Sequence, residues 1–244
     1  YNSLCNNTTG TSNTSVGNSS LSLNTTGSYN TAFGVNALYP NTADNNTAMG
    51  YNSLQANTTG TENTAVGVCA LEANTTASNN TSVGFRSLRL NTTGSSNTAV
   101  GRNALCSNTT GTENSALGTK SLDALTTGGQ TTAIGYQALT STTTGTGNTA
   151  LGTNALQANT TGDYGTATGY LALACNTTGC CNTASGLQAF FLNTTGRQGT
   201  ASGSFALCAN TTGNDNNAFG HTAGCNVTTG NGNVFVGSGT RASG

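Results

Sequence analysis

The chain of 244 residues has few charged side chains and contains no tryptophan, one proline, one methionine and one histidine. Charged residues make up 5% of the sequence, with a formal net charge of -1, against about 25% in an average soluble domain. This balance provides no basic patch for nucleic acid or an anionic membrane, so we expect neither as a partner. No run of about 18 apolar residues is present, and we expect no membrane insertion in this segment.

Residues that carry catalysis or bind metals are equally scarce. His221 is the only histidine and has no serine or aspartate partner at a related position, so we interpret it as a surface residue. Glu62, Glu113 and Asp215 share one repeat position but lie at least about 14 Å apart, too far for paired-carboxylate chemistry. The sequence also lacks calcium-binding repeats and phosphate-binding loops. We therefore expect no catalytic residue, no metal site, no cofactor and no enzymatic activity.

Glycine is abundant, with 34 residues, and one glycine returns at a fixed period along the whole chain. Its intervals are 17 residues, except for the 16 residues from Gly34 to Gly50. A short fixed period indicates stacked units, each contacting its neighbours. The periodic glycine suits a tight corner that needs a positive φ or close backbone approach. The predicted corner glycines are Gly17, Gly34, Gly50, Gly67, Gly84, Gly101, Gly118, Gly135, Gly152, Gly169, Gly186, Gly203, Gly220 and Gly237.

Counted from this glycine as position 0, the unit reads Asn-Thr-Ala-Φ-Gly-x-x-Ala-Leu-x-x-Asn-Thr-Thr-Gly-x-x, where Φ is a large apolar residue at position -1. Thr and Asn are weak helix formers, and two glycines per unit leave no room for a helix pair. Short Thr- and Val-rich runs between Gly and Asn turns are typical of strands. The sequence predicts an all-β fold, a parallel β-solenoid (β-roll) of about fourteen 17-residue coils with two short strands per coil. At ~4.8 Å per coil it would form a rod of roughly 65 Å.

Small and large apolar residues alternate within each unit, and adjacent strand residues point to opposite faces. We expect the large residues to fill the coil interior and alanine at position -2 to face a closely packed partner. The mixed position +1 is a second candidate interface, and the alternative is a single-chain solenoid with scattered surface aromatics. The aromatic or aliphatic residues at +1 include Val35, Tyr51, Phe85, Tyr136 and Tyr170. The expected core residues are Leu38, Leu54, Leu71, Leu88, Leu105, Leu122, Leu139, Leu156, Leu173, Leu207, Val66, Val83, Val100 and Ile134.

The repeat runs from residue 1 to residue 244 without a linker, which predicts a single continuous repeat domain. Because the chain starts at Tyr1, we expect it to be a segment of a longer fibrous protein. Position -1 becomes Thr or Ser in the last third, where Phe190 and Phe191 are expected to compensate for a weaker interior. Residues 221–244 depart from the consensus, for example at Phe235, and are expected to form an atypical end or cap.

The Asn-Thr-Thr column at positions +7 to +9 has two interpretations. Asn-x-Thr is the acceptor for N-glycosylation, which would make the protein a heavily glycosylated rod. Alternatively, asparagine shapes turns and its stacked side chains hydrogen-bond along the solenoid. Glycans ~4.8 Å apart on consecutive coils would be crowded. The glycosylation candidates are Asn7, Asn24, Asn57, Asn74, Asn91, Asn108, Asn159, Asn176, Asn193, Asn210 and Asn226.

The eight cysteines have no metal-ligand spacing, but two pairs are candidates for disulfides. Cys208 and Cys225 share position +5 of consecutive coils, which places their Cα atoms ~4.8 Å apart and within bonding range. Cys175 and Cys180 lie in one coil and could meet across a turn. The spacing does not establish the connectivity.

Residues 63–67 and 97–101, both Asn-Thr-Ala-Val-Gly, resemble the head repeats of trimeric autotransporter adhesins. Similar repeats occur in phage tail-fibre and environmental surface proteins. The resemblance covers essentially the whole chain, although the unit here is longer than that of the family. It implies left-handed parallel β-rolls with three chains side by side, which bind host or matrix surfaces.

Together these features predict the structural or adhesive rod of an extracellular fibre or cell-surface adhesin, outside the cell or on a cell or virion surface. The expected partner is the chain itself, as a trimer or as a filament assembled head to tail through unpaired strand edges. Surface glycans or host matrix are further expected partners. The alternatives are a receptor-binding phage tail-fibre module and an ice-binding solenoid that exposes columns of threonine hydroxyls.

Overall fold

A computed structural model describes residues 2–241, which contain fourteen strands and no helix. The chain divides into two compact units, Tyr1–Lys120 (unit 1) and Ser121–Gly244 (unit 2). The repeat pattern is the same in both units, and the single continuous domain stays a prediction. The last three residues of the predicted cap, 242–244, lie outside the described part of the chain, as does residue 1.

Unit 1 is a parallel β-solenoid built from three-residue strands. Successive strands pair in chain order, with each residue opposite the equivalent residue of the next coil, as in the pair Thr64 and Thr81. Paired residues on neighbouring strands are therefore one repeat apart in the sequence. The strands are β1 (Thr14–Val16), β2 (Thr31–Phe33), β3 (Thr47–Met49), β4 (Thr64–Val66), β5 (Thr81–Val83), β6 (Thr98–Val100) and β7 (Ser115–Leu117).

Unit 2 repeats the same arrangement, and its strands also pair in parallel with one-repeat register. Its strands are β8 (Thr132–Ile134), β9 (Thr149–Leu151), β10 (Thr166–Thr168), β11 (Thr183–Ser185), β12 (Thr200–Ser202), β13 (Asn217–Phe219) and β14 (Val234–Val236). The predicted parallel β-solenoid is confirmed in both units.

Each coil has one strand, where the sequence predicts two. The second predicted strand, around position +4, is a turn whose alternate residues have left-handed backbones, such as Arg86 (φ 55°) and Leu88 (φ 48°). These turns still stack from coil to coil, because the Leu71 amide donates to Ser87 (3.1 Å) and the Leu88 amide to Ala104 (3.0 Å). The ladder of backbone hydrogen bonds thus continues around the coil without extended strands.

The periodic glycines form the predicted corners. All fourteen have φ between 110° and 143°, where residues with side chains are strained. At Gly84, a Cβ would also lie 2.6 Å from the carbonyl oxygen of Gly101 in the next coil. Positive φ and close backbone approach both apply, so glycine is required at this position.

The interior of each coil is lined by small residues at -2 and +3 and by leucine at +4. All ten predicted core leucines are at most 1% exposed. Positions -2 and +3 face each other across the glycine corner, as the hydroxyls of Ser82 and Ser87 are hydrogen-bonded there. This space holds alanine or serine in every coil except the last, where Phe235 stands at -2 and Thr240 at +3.

The predicted inward direction of position -1 is wrong. Val66, Val83 and Val100 are partly exposed and Ile134 is 39% exposed, so these four expected core residues lie on the outer face of the sheet. The alternation along the strand is correct, but the narrow corner selects the alanine at -2 for the inside. The Thr and Ser residues at -1 in unit 2 consequently do not weaken its interior.

Candidate interaction surface

The outer face of the strands is the main exposed surface with a regular pattern. In each strand the middle residue points inward, whereas the first and third residues point outward, as in the pattern of Thr98–Val100. The first residue is usually threonine, and the third is position -1. Two parallel columns, one hydroxylic and one largely apolar, therefore run along the sheet at ~4.8 Å per residue.

In unit 1 the third residue of every strand is apolar. We name this set the apolar column: Val16, Phe33, Met49, Val66, Val83, Val100 and Leu117. Phe33 is 56% exposed, Leu117 48% and Met49 43%. None of the strand residues in unit 1 is charged, so the column is a continuous uncharged surface within that unit.

In unit 2 the third strand position is not apolar throughout. It is apolar in β8 and β9 (Ile134 and Leu151) and in β13 and β14 (Phe219 and Val236). Between them, β10–β12 carry hydroxyls at the third position, namely Thr168, Ser185 and Ser202. The outer strand face is therefore apolar throughout unit 1 and partly hydroxylic in unit 2, although the strands of both units pair in the same way.

The two interfaces expected from the sequence have different outcomes. Alanine at -2 is fully buried, as at Ala65 and Ala99, so a partner-facing alanine surface is wrong. Position +1 is exposed: Tyr51 is 51%, Phe85 43% and Tyr170 52% exposed. Val35 and Tyr136 at the same position are exposed too. Position +1 follows the corner glycine and lies beside the strand face.

The asparagine column at +7 is buried. Asn24, Asn57, Asn74, Asn91, Asn108, Asn159, Asn176, Asn193 and Asn210 are all at most 1% exposed. The Asn74 amide donates to Oδ1 of Asn57 (2.8 Å) and to the carbonyl of Ala77 (3.0 Å), and Asn91 repeats this onto Asn74. At these nine glycosylation candidates the structure therefore has the second of the two predicted arrangements, a ladder of stacked, hydrogen-bonded asparagines. Asn7 is half-buried, and Asn226 is exposed.

A second ladder of asparagines runs at position -4, which the sequence analysis does not predict. Oδ1 of Asn63 accepts the backbone N–H of Asn80 (3.1 Å), while Nδ2 of Asn63 donates to the carbonyl of Ala77 (2.8 Å). The available signal was the asparagine that recurs at -4 in eleven of fourteen units. Buried amides are stable here because both ends of the side chain are hydrogen-bonded.

All eight cysteines are free thiols in the structure. Burial raises the pKa of Cys208, and the neighbouring Cys225 thiol raises it further, so this predicted pair is brought together without a bond. The Cys181 thiol is hydrogen-bonded to Cys180, which raises its pKa. Burial alone raises the pKa of Cys175. The structure thus associates Cys180 with its neighbour in sequence and not with the predicted partner Cys175.

Other features of a reactive site are not seen in the described part of the chain. His221 is exposed, as expected, with its ring edge-on to Phe205 at 6.3 Å between centroids. Residues 2–241 contain no cluster of three or more His, Cys, Asp or Glu side chains suited to a metal ion. No pocket is found in either unit as described. No helix among these residues is long and apolar enough to cross a membrane.

Comparisons with known proteins give no assignment. No protein-family model matches the chain, and neither a curated protein nor a solved structure matches it. The resemblance to the head repeats of trimeric autotransporter adhesins therefore stays a prediction, and the functional argument depends on the outer surface of the solenoid.

Proposed function

We propose that this chain is a structural segment of an extracellular fibre or cell-surface adhesin, in which copies associate side by side through the apolar column of unit 1. The observation that supports the proposal is the unbroken line of outward-facing apolar side chains from Val16 to Leu117, of which four are exposed and Val66, Val83 and Val100 are partly exposed. A solenoid places its hydrophobic residues inside, and in unit 1 the buried apolar residues are alanines and leucines. Large apolar residues on the outer face at every coil favour a surface that becomes buried in an assembly.

A second copy of the chain is the partner that fits this surface best. Its apolar column has the same ~4.8 Å repeat, so contacts made at one coil recur at every following coil. Identical side chains on two facing sheets can interdigitate in a dry interface. The strands of unit 1 carry no charge, and facing copies therefore meet no like-charge repulsion there.

The size of the surface sets the expected strength. Seven strands ~4.8 Å apart and three residues long give a face of about 30 Å by 10 Å. A standard stable interface buries about 800 Å² on each partner, which is more than this face offers. Association through unit 1 alone is expected to be weak and to gain strength when further repeats bind in register.

The test compares two matched pairs of Val→Thr substitutions. V66T/V83T changes the apolar column and copies the hydroxyls that unit 2 has at this position, so the fold is expected to be retained. V35T/V68T makes the same change at exposed position +1. Sedimentation velocity over a concentration series should show self-association in the native chain and the V35T/V68T control, and its loss in V66T/V83T.

Equal association of all three proteins would reject the apolar column as the interface. A strictly monomeric native chain at high concentration would reject side-by-side assembly altogether. The trimer is a separate proposal about how many chains associate side by side. The head-to-tail filament is a separate proposal about contacts between the ends of the solenoids.

Ice binding is a second candidate, supported by a different observation. On β10–β12 both outward residues of every strand carry hydroxyls, and these stack in register from Thr166 to Thr183 and from Thr168 to Ser185. Thermal hysteresis that is lost in T183V would favour this function. Its absence in the native chain would exclude it and leave the structural role.

A further inference from the structure

The basic residues of this nearly uncharged chain are concentrated in one stretch. Four of the six Lys and Arg residues lie between positions 86 and 120, where Glu113 is the single acidic residue. Glu113 precedes β7 and is on a different segment of its coil from the basic side chains. The stretch is therefore locally positive, although the whole chain has a net charge of -1.

The solenoid brings three of these cations into adjacent coils. Arg86 and Lys120 occupy position +2, and Arg102 occupies +1 of the coil between them. The backbone N–H of Lys120 donates to the carbonyl of Arg102 (3.0 Å), and that of Asn103 to the carbonyl of Phe85 (3.0 Å). These hydrogen bonds fix the three residues in neighbouring rows, and we name Arg86, Arg102 and Lys120 the cationic ladder.

The cationic ladder takes no part in the ion pair that the described residues of this stretch form. Arg89 lies 3.2 Å from Glu72, as an ion pair, and Glu72 is also contacted by Asn52 at 3.4 Å. Within the described residues no carboxylate pairs with Arg86, Arg102 or Lys120. Arg86 and Arg102 are exposed, and Lys120 is half-buried. Three solvent-accessible cations thus remain available for an external anion.

An exposed aromatic ring accompanies the ladder. The guanidinium carbon of Arg86 lies 4.9 Å from the centroid of the Phe85 ring, and the ring is 43% exposed. Guanidinium groups bind carboxylate or sulfate oxygens through two parallel hydrogen bonds. An aromatic face beside them can pack against the C–H face of a sugar ring.

We propose that the cationic ladder binds an acidic polysaccharide, with carboxylate or sulfate groups on Arg86, Arg102 and Lys120 and a sugar ring against Phe85. The ~4.8 Å spacing of the coils is similar to the length of one sugar residue in an extended polysaccharide, so successive acidic groups meet successive coils. This site is independent of the apolar column, and either proposal can fail without the other.

A nucleic acid fits this surface less well. Proteins that bind duplex DNA neutralise on the order of 6–10 phosphates, and the ladder offers three cations beside uncharged strands. The expectation that the chain has no basic patch is corrected at this one place. The expectation of no nucleic-acid partner stays a prediction, which the same experiment tests.

The experiment measures binding of the native chain to immobilised polygalacturonate, dextran sulfate, neutral dextran and duplex DNA at low salt. The test variant is R86Q/K120Q, because glutamine already occupies position +2 at Gln137 and Gln188 with the same left-handed backbone (φ 54° and 51°). The control is R197Q/R241Q, which removes two positive charges elsewhere. The Arg86 and Lys120 backbones have φ of 55° and 58°, so the test variant is expected to fold.

We expect binding to polygalacturonate or dextran sulfate that weakens with salt and falls at least tenfold in R86Q/K120Q but not in R197Q/R241Q. Preference between the two polymers distinguishes carboxylate from sulfate as the natural group. Equal losses in both variants, no binding to either acidic polymer, or tighter binding to DNA would each overturn the proposal. Should R86Q/K120Q not fold, R102T is the second variant, since Thr119 and Thr153 occupy position +1 elsewhere.

Discussion

The ring of Phe190 lies against Gly199, and a Cβ added to that glycine would be 2.8 Å from Cε2 of the ring. Gly199 stands at position -4, where eleven of fourteen units have asparagine, and Phe190 stands at +4 in place of leucine. The larger ring therefore fills the space that the missing side chain leaves. Phe235 and Gly224 show the same exchange, since a Cβ on Gly224 would lie 2.6 Å from Cδ2 of Phe235.

This exchange predicts strong coupling between two substitutions. F190L alone should lower the free energy of unfolding by about 1–2 kcal/mol, because it leaves a cavity beside Gly199. G199N alone should cost more, because the new side chain overlaps the ring. The double variant restores the consensus pair and should be more stable than the sum of the single effects predicts. Urea unfolding of the four proteins measures the coupling, and strict additivity would contradict the packing described.

The corner glycines predict a large effect from a single methyl group. G84A places a Cβ 2.6 Å from the Gly101 carbonyl oxygen at a φ of 134°, so we expect a loss of about 3 kcal/mol or more. The control is G232A, where φ is 68° and no atom lies within 4 Å of the new Cβ. This change should cost only about 1 kcal/mol. Thermal unfolding of both variants provides the comparison, and equal losses would disprove the close approach of coils.

The buried ladder at +7 predicts that a single asparagine supports both of its neighbours. N74A removes two donated hydrogen bonds and leaves the Asn91 amide without its acceptor on Asn74. Unsatisfied buried polar groups cost about 1–3 kcal/mol, so we expect a loss in that range. T76A, on the exposed side of the same turn, should change stability by less than about 0.5 kcal/mol. A neutral N74A in urea unfolding would contradict the ladder.

The sequence predicts the solenoid and its corners because both follow from period and composition. The direction of the side chains is harder to predict, since a period of two fixes the alternation but not which set faces inward. The hydrophobic effect alone favours Val100 inside and Ala99 outside. The short distance between positions -2 and +3 reverses this choice, and that distance depends on the backbone at the glycine corner. No local sequence pattern predicts this distance.

The candidate surfaces were less predictable than the fold for a related reason. The aromatic residues at +1 were recognised as surface candidates, because large residues vary freely only where packing does not constrain them. The sequence does not predict the cationic ladder, since Arg86 and Lys120 are 34 positions apart in the sequence and come within two coils of each other only when the coils stack. The composition of the whole chain does not show such a local group. Counting the charged residues at each repeat position, coil by coil, shows it.

The outward direction of position -1 can be tested with one substitution at two places. V100T changes a partly exposed residue on the strand face and should alter the free energy of unfolding by less than about 0.5 kcal/mol. L105T places a hydroxyl and a cavity at a site that is fully buried, so a loss of about 3 kcal/mol or more is expected. Urea unfolding distinguishes these outcomes. A larger loss of unfolding free energy in V100T than in L105T would mean that the side chains at position -1 face the interior.

The position of each acceptor predicts which asparagines can carry glycans in a glycosylating host. A glycan on Asn74 would exclude its side chain from the ladder, because both hydrogen bonds of Nδ2 lie in the buried turn. Asn226 is exposed, so its side chain is accessible to the glycosylating enzyme. Enzymatic release converts each modified asparagine to aspartate, and peptide mapping of the folded fraction should find the conversion at Asn226 and not at Asn74. Conversion at Asn74 in folded protein would require the +7 side chains to point outward.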